Sequence, residues 1–188
     1  TVILSEASDL GIAERIAVDL EGEFILTKTH EWMWYDGKRW LADMSPLLDY
    51  RVGEGLRALR QELQAAGMEE VAKKCMPDQG RIASVTARLR SLLWEPAGIE
   101  SFDVSPDHVN VANGVVDLRT GELTPHDPKQ RFTYCLNTMY VPGKKTHALW
   151  AKYLVESVPG DVIPLLQTAV GYSLTGHTTE ERMFYIYG

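Results

Sequence analysis

The sequence predicts an α+β fold, mostly helical with small antiparallel β-hairpins, that ends in an orphaned strand. Three observations carry this expectation. Apolar residues recur at helical spacing through residues 46–94 and again after residue 146. The dipeptides Asp36-Gly37, Asn113-Gly114 and Thr120-Gly121 punctuate short β-prone runs. Met183-Phe184-Tyr185-Ile186-Tyr187 is a continuous apolar run closed by Gly188, the pattern of a strand buried on both faces. Such strands belong to parallel sheets, which need crossover helices. The expectation is therefore a fragment whose last segment belongs to another domain; the competing reading, a C-terminal strand of a complete domain, is equally compatible with the local pattern.

A chain of 188 residues is long enough for one domain with a good core, or one plus a small second. It has no apolar run long enough for a bilayer, and Thr1-Val2-Ile3-Leu4-Ser5-Glu6 lacks the basic start of a signal peptide. Cys75 and Cys135 are far apart, with no CxxC or Cys/His spacing, so buried free thiols are expected rather than a disulfide or zinc. The net charge of −7 argues against a surface devoted to nucleic acid, but it divides into −5 over residues 1–46, +2 over 47–94 and −4 over 95–188. Polyanion contact is expected in the middle.

Taken in order, Ser8-Asp9 caps a helix carrying Leu10, Ala13, Ala17 and Leu20, which ends before Gly22. Phe24 to Thr27 reads as a strand, and Trp32 to Tyr35, Asp36-Gly37 and Lys38 to Leu41 as a hairpin with a tight turn. Trp32 and Trp34 share one strand face, which is either a core surface, the preferred reading, or a base-stacking platform. Pro46 opens a helix with Leu48, Val52, Leu56, Leu59, Leu63 and Ala66 as its stripe, although Gly53 and Gly55 each cost about 1 kcal/mol relative to alanine. A short helix over residues 68–75 precedes Pro77, and Ile82, Val85, Leu89 and Leu92 mark the next. Lys73, Lys74, Arg81, Arg88 and Arg90 make this the most basic window. It is either a solvated helical face, the preferred reading, or a phosphate-contacting one without sequence preference.

From His108 the pattern turns to strands. Asn113-Gly114 is a turn, residues 115–118 a strand, Thr120-Gly121 a second turn, and residues 132–140 one more strand. Thr146 caps a helix bearing Trp150, Tyr153, Leu154 and Val158, and Asp161 caps another bearing Ile163, Leu166, Val170 and Leu174. Thr178-Thr179-Glu180-Glu181 fits a capping box opening one helical turn.

Several of these runs also carry a family pattern. Asn110-Val111-Ala112-Asn113-Gly114-Val115-Val116-Asp117-Leu118-Arg119-Thr120-Gly121-Glu122-Leu123 with Pro125-His126-Asp127-Pro128 resembles a stretch of phage and plasmid primase-helicases. It lies there in the poxvirus-type primase-helicase N-terminal domain that precedes a superfamily 3 helicase core. Leu166-Gln167-Thr168-Ala169-Val170-Gly171-Tyr172-Ser173-Leu174-Thr175-Gly176, Trp34 with Asp36-Gly37-Lys38-Arg39-Trp40, and the run ending at Gly188 resemble further segments of that family.

The resemblance implies an α+β N-terminal domain over 1–143 (helical middle 46–94, β-rich 108–140), a helical collar segment over 144–182, and the first strand of a truncated ATPase domain over 183–188. It implies a non-catalytic part of a DNA replication protein in a bacterial cytoplasm. The fragment itself would hold no cofactor or metal; ATP and Mg²⁺ would belong to the parent's AAA+ motor. Implied partners are that motor, a homo-oligomer that is hexameric in the parent, and DNA. Gly37-Lys38 and Gly143-Lys144 lack the glycine and hydroxyl residue of a Walker A loop, and His30, His108, His126, His147 and His177 are scattered. No catalytic residues are expected. The alternative is a stand-alone DNA-binding or adaptor module using the basic face over 73–90.

Overall fold

The computed structural model describes residues 8–29, 31–43, 46–144, 146–181 and 183–185. Within them, six α-helices accompany two separate three-stranded antiparallel sheets, the α+β class that the patterning predicts. The first half is a helical layer against a small sheet. Helix α1 (Asp9–Leu20) starts where the Ser8 side chain accepts a hydrogen bond from Gly11 N at 3.2 Å, satisfying a first-turn donor that has no partner within the helix. It buries Ile12, Ala13, Ile16 and Leu20. Helix α2 (Leu47–Ala65) buries Leu48, Val52, Leu56, Leu59 and Leu63, while Ala66 lies past its end. Its glycines serve packing: a Cβ on Gly55 would stand 3.1 Å from Ile16 Cγ1, so this position lets α1 approach. Helices α3 (Glu69–Lys73) and α4 (Gln79–Leu92) close the layer, adding Ala72, Val85 and Leu89 to one continuous core with Phe24.

Strands β1 (Phe24–Leu26), β2 (Trp32–Tyr35) and β3 (Trp40–Ala42) pair as Phe24↔Trp34, Leu26↔Trp32 and Tyr35↔Trp40. The hairpin is where the sequence puts it, but its turn is wider. Asp36 to Arg39 form the loop because Asp36 Oδ1 accepts from Lys38 N at 2.8 Å and Arg39 N at 2.9 Å, with Gly37 at φ +93°. Trp32 and Trp34 pack against the helical core, so they do not form an exposed platform.

The second sheet contains β4 (His108–Val111), β5 (Gly114–Asp117) and β6 (Leu123–Thr124). Its first turn is Ala112-Asn113, one residue earlier than expected, because Gly114 already pairs with Val111. Gly114 cannot be replaced without strain, since its φ is +150° and a Cβ would fall 2.3 Å from Thr124 O. The strand expected over 132–140 is instead an irregular segment. It touches β4 through Leu136 N to Asn110 O at 2.9 Å and Ala112 N to Thr138 O at 2.9 Å, and makes one bridge, Val111↔Leu136. Its other polar groups turn elsewhere: Asp103 accepts from Thr133 N at 2.9 Å, and Asn113 both accepts from Tyr140 N and donates to Tyr140 O at 2.9 Å.

The two halves meet at a polar seam. Asn110, fully buried, donates through Nδ2 to Lys38 O at 2.8 Å and Tyr134 O at 2.7 Å. Trp40 donates from its backbone N to Phe132 O at 2.7 Å and from Nε1 to Pro128 O at 2.8 Å, while its ring meets Phe102 edge-on. Arg131 ties the same region to Glu95 at 2.6 Å.

Helices α5 (Ala148–Ser157) and α6 (Ile163–Leu174) complete the described helices. His147 and Val162, not Thr146 and Asp161, occupy the N-cap positions, and neither makes a side-chain cap bond. The expected helical turn after Thr178 is a single turn, Glu181 N to Thr178 O at 3.2 Å, that Glu181 leaves at φ +46°. Of the predicted terminal strand, Met183, Phe184 and Tyr185 are irregular, Met183 is 89% exposed, and Phe184 meets the Tyr172 ring edge-on. Residues 186–188 lie outside the described residues. Cys75 and Cys135 are both free thiols, as expected; Cys75 is buried and Cys135 only partly so.

Replacing Asn110 with alanine leaves the Lys38 and Tyr134 carbonyls without the fully buried donor that joins them. The variant should lose about 2–4 kcal/mol of unfolding free energy, measured by urea titration, whereas a loss within about 0.5 kcal/mol would mean that the seam is not under tension from those groups.

Candidate nucleic-acid interface

The five basic residues singled out in the sequence differ in their partners. Asp78 caps α4, accepting from Arg81 N at 2.9 Å. That cap brings the Arg81 guanidinium to the Asp9 carboxylate at the start of α1, where Ser84 Oγ also donates to Asp9. The Ser84 hydrogen bond, with the Arg81 charge and a weaker contribution from Arg88, holds the Asp9 carboxyl below its ordinary range. Arg81 is therefore a structural tie between α1 and α4. Lys73 is paired with Glu70 one turn away on α3. Lys74, Arg88 and Arg90 are exposed, and among the described residues they make no ion pair within 4.0 Å. Among the described residues, three of the five basic side chains thus lack an ion pair.

A second polar cluster was not legible from spacing. Asp107 accepts from Arg119 Nε at 2.7 Å and from His177 Nε2 at 2.9 Å, residues 12 and 70 positions away. The His177 hydrogen bond, then the Arg119 guanidinium, lowers the Asp107 carboxyl's pKa. Gly176 N donates to Pro106 O at 2.9 Å, and a Cβ there would meet Pro106 Cα at 3.0 Å. The chain leaving α6 is thereby fastened to the loop before β4. Ser105 Oγ and His108 Nδ1 lie 2.7 Å apart beside it. Only the Gly176 approach left a sequence signal, a glycine after the helix.

The adjacent acid–base pair His126-Asp127 does not converge on a common point. His126 Nε2 hydrogen-bonds Val111 O at 2.9 Å, while Asp127 accepts from Lys129 N at 2.8 Å as the cap of a short 3-10 turn. Among the described residues no group of three His, Cys, Asp or Glu side chains could hold a metal ion, and no helix is long and apolar enough to cross a membrane. The cavities follow the same pattern. A groove of about 430 Å³ between α1 and α2 is lined by Arg51, Arg57, Glu54 and Asp19 over an Ile16–Leu20 floor. A pocket of about 230 Å³ on the second sheet, lined by Val109, Val116, Leu136, Tyr140 and Leu174, is almost wholly apolar.

Arg81→Ala should destabilise the chain by about 1 kcal/mol at neutral pH, while Arg90→Ala should stay within about 0.5 kcal/mol. Because the Asp9 carboxyl is lowered, its contribution is present above the ordinary carboxylate range and is lost as pH falls through its depressed value. The difference between wild type and Arg81→Ala should shrink on acidification in urea titrations; a difference that grows would contradict the pairing.

No curated protein matches the chain. The family model described as D5 N terminal like matches residues 22–159, a span that runs from the turn before β1 to the end of α5 and takes in both sheets and the seam between them. The chain belongs to this family, the N-terminal domain family of primase-helicases.

Proposed function

We propose that this chain is the non-catalytic collar domain of a phage or plasmid DNA replication protein, working beside an ATP-driven superfamily 3 motor that binds ATP and Mg²⁺. It helps subunits of that motor associate into a ring and engage DNA in a bacterial cytoplasm. The observation that carries this reading is the surface of α6. The helix is apolar around its circumference, yet only Ala169 is buried, with Leu165 63%, Val170 50% and Leu174 50% exposed. A helix of that kind is stable when another surface covers it. The Asp107–His177 tie holds the chain that leaves α6 against the second sheet, which gives a neighbouring motor a fixed point of attachment. The resemblance of Met183 to Gly188 to the strand before a Walker A loop supports the same order along the chain.

The test is a superfamily 3 motor assayed with and without this domain. With it, ring assembly at a given concentration and strand unwinding should both rise, while ATP hydrolysis by preassembled rings stays unchanged. A motor that assembles and unwinds equally well without the domain would contradict the proposal.

A second reading, DNA contact through the 73–90 face, is favoured by the exposure of Lys74, Arg88 and Arg90. Replacing these three with alanine should reduce the slope of log affinity against log salt by about 3 on duplex DNA. An unchanged slope removes that face from DNA binding.

A further inference from the structure

Helix α5 holds two aromatic rings in solvent that the fold does not use. Trp150 and Tyr153 stand one turn apart, 51% and 56% exposed, with ring centroids separated by 5.7 Å and planes inclined by only 22°. No residue of α5 is buried, so the pair is not pressed against a core. Two nearly parallel rings present the flat π surface on which a third ring stacks.

The charge along the chain leading into α5 selects the kind of ring. From residue 128 to residue 155 the sequence contains Lys129, Arg131, Lys144, Lys145 and Lys152 and no Asp or Glu, in a chain whose net charge is −7. Arg131 is paired with Glu95, but Lys144 is exposed, and Lys152 is 68% exposed with Glu156 at 3.8 Å. An apolar partner would explain the rings without the lysines. A polyanion would explain the lysines without the rings.

We propose that Trp150 and Tyr153 form a stacking platform for single-stranded nucleic acid, with Lys144 and Lys152 contacting its phosphates. A duplex keeps its base faces covered by their neighbours, so the platform distinguishes single strands, which the 73–90 face, offering charge alone, does not. The occupant rests on the replication reading above; the site rests on the geometry of α5.

The test titrates the full chain into a fluorescent oligothymidylate of about 20 nucleotides, and into a duplex of equal length, at about 50 and about 200 mM salt, reading anisotropy. The oligothymidylate should bind more tightly than the duplex. Trp150→Ala and Tyr153→Ala should each weaken it about tenfold, Trp150→Phe should retain most of the affinity, and the double variant Lys144→Ala/Lys152→Ala should weaken it and flatten its salt dependence. Circular dichroism confirms that each variant is folded. The proposal is overturned if the wild-type chain does not bind the oligothymidylate at low salt, or if Trp150→Ala binds it as well as wild type. It is equally overturned if Trp150→Ala abolishes self-association in sedimentation while leaving DNA binding intact, which would assign the rings to a second copy of the chain. None of these failures touches motor assembly, on which the collar reading stands or falls separately.

Discussion

The arrangement depends on the buried amide of Asn110. Burying an amide costs free energy unless its hydrogen bonds are replaced, and here the two donors of one side chain are aimed at carbonyls from both halves of the molecule, Lys38 in the first hairpin and Tyr134 in the irregular segment beside β4. Neither half could supply both acceptors. The Trp40 ring and its Nε1 bond to Pro128 O reinforce the same junction from the first sheet, and Arg131, at φ +54°, reinforces it through Glu95 and the face of Phe102. A non-glycine residue held in the left-handed region needs surroundings that over-determine it; Arg131 has an ion pair, a hydrogen bond to Ser101 Oγ at 2.7 Å and a ring to satisfy that need. The seam joins the first sheet to the second half, where the loop before β4 holds the chain that leaves α6.

Much of this was legible in the residues. The α2 stripe emerged because burial and helical period coincide at Leu48, Val52, Leu56, Leu59 and Leu63, and the Ser8 cap because it is a local interaction within one turn. The misplaced details are those settled by partners distant in sequence. The 132–140 segment has strand-forming residues, but its polar groups are claimed by Asp103, Asn110 and Asn113, so only one bridge to β4 survives. The Asn113-Gly114 turn shifts by one residue because the close approach of Thr124 O makes Gly114 a strand position. The partner of Arg81 was equally hidden: nothing near it in sequence announces that Asp9, 72 residues away, will pair with its guanidinium.

Functionally, the molecule separates a well-buried scaffold from an incompletely covered end. The α1–α4 layer buries a continuous core and leaves single apolar residues such as Val18 outside it, whereas α5 and α6 bury only Ala169 and carry Leu149, Trp150, Val155, Leu165 and Val170 outward. Exposed apolar residues on two successive helices are what an interaction surface would need, which is the reading proposed above. The chain belongs to the N-terminal domain family of primase-helicases. The two proposed uses fall on different helices, assembly on α6 and the stacked rings on α5, so they are compatible in one molecule.

The central claim is that α6 and the segment after it, not the α1–α4 layer, are where this domain would meet the proposed motor. Hydrogen exchange followed by mass spectrometry, on the chain alone and with a superfamily 3 motor attached, addresses it directly. The account predicts that amides of α6 and of the segment after it gain protection on assembly while α1 to α4 exchange unchanged. Protection confined to α1 to α4, with α6 exchanging as in the free chain, would contradict it.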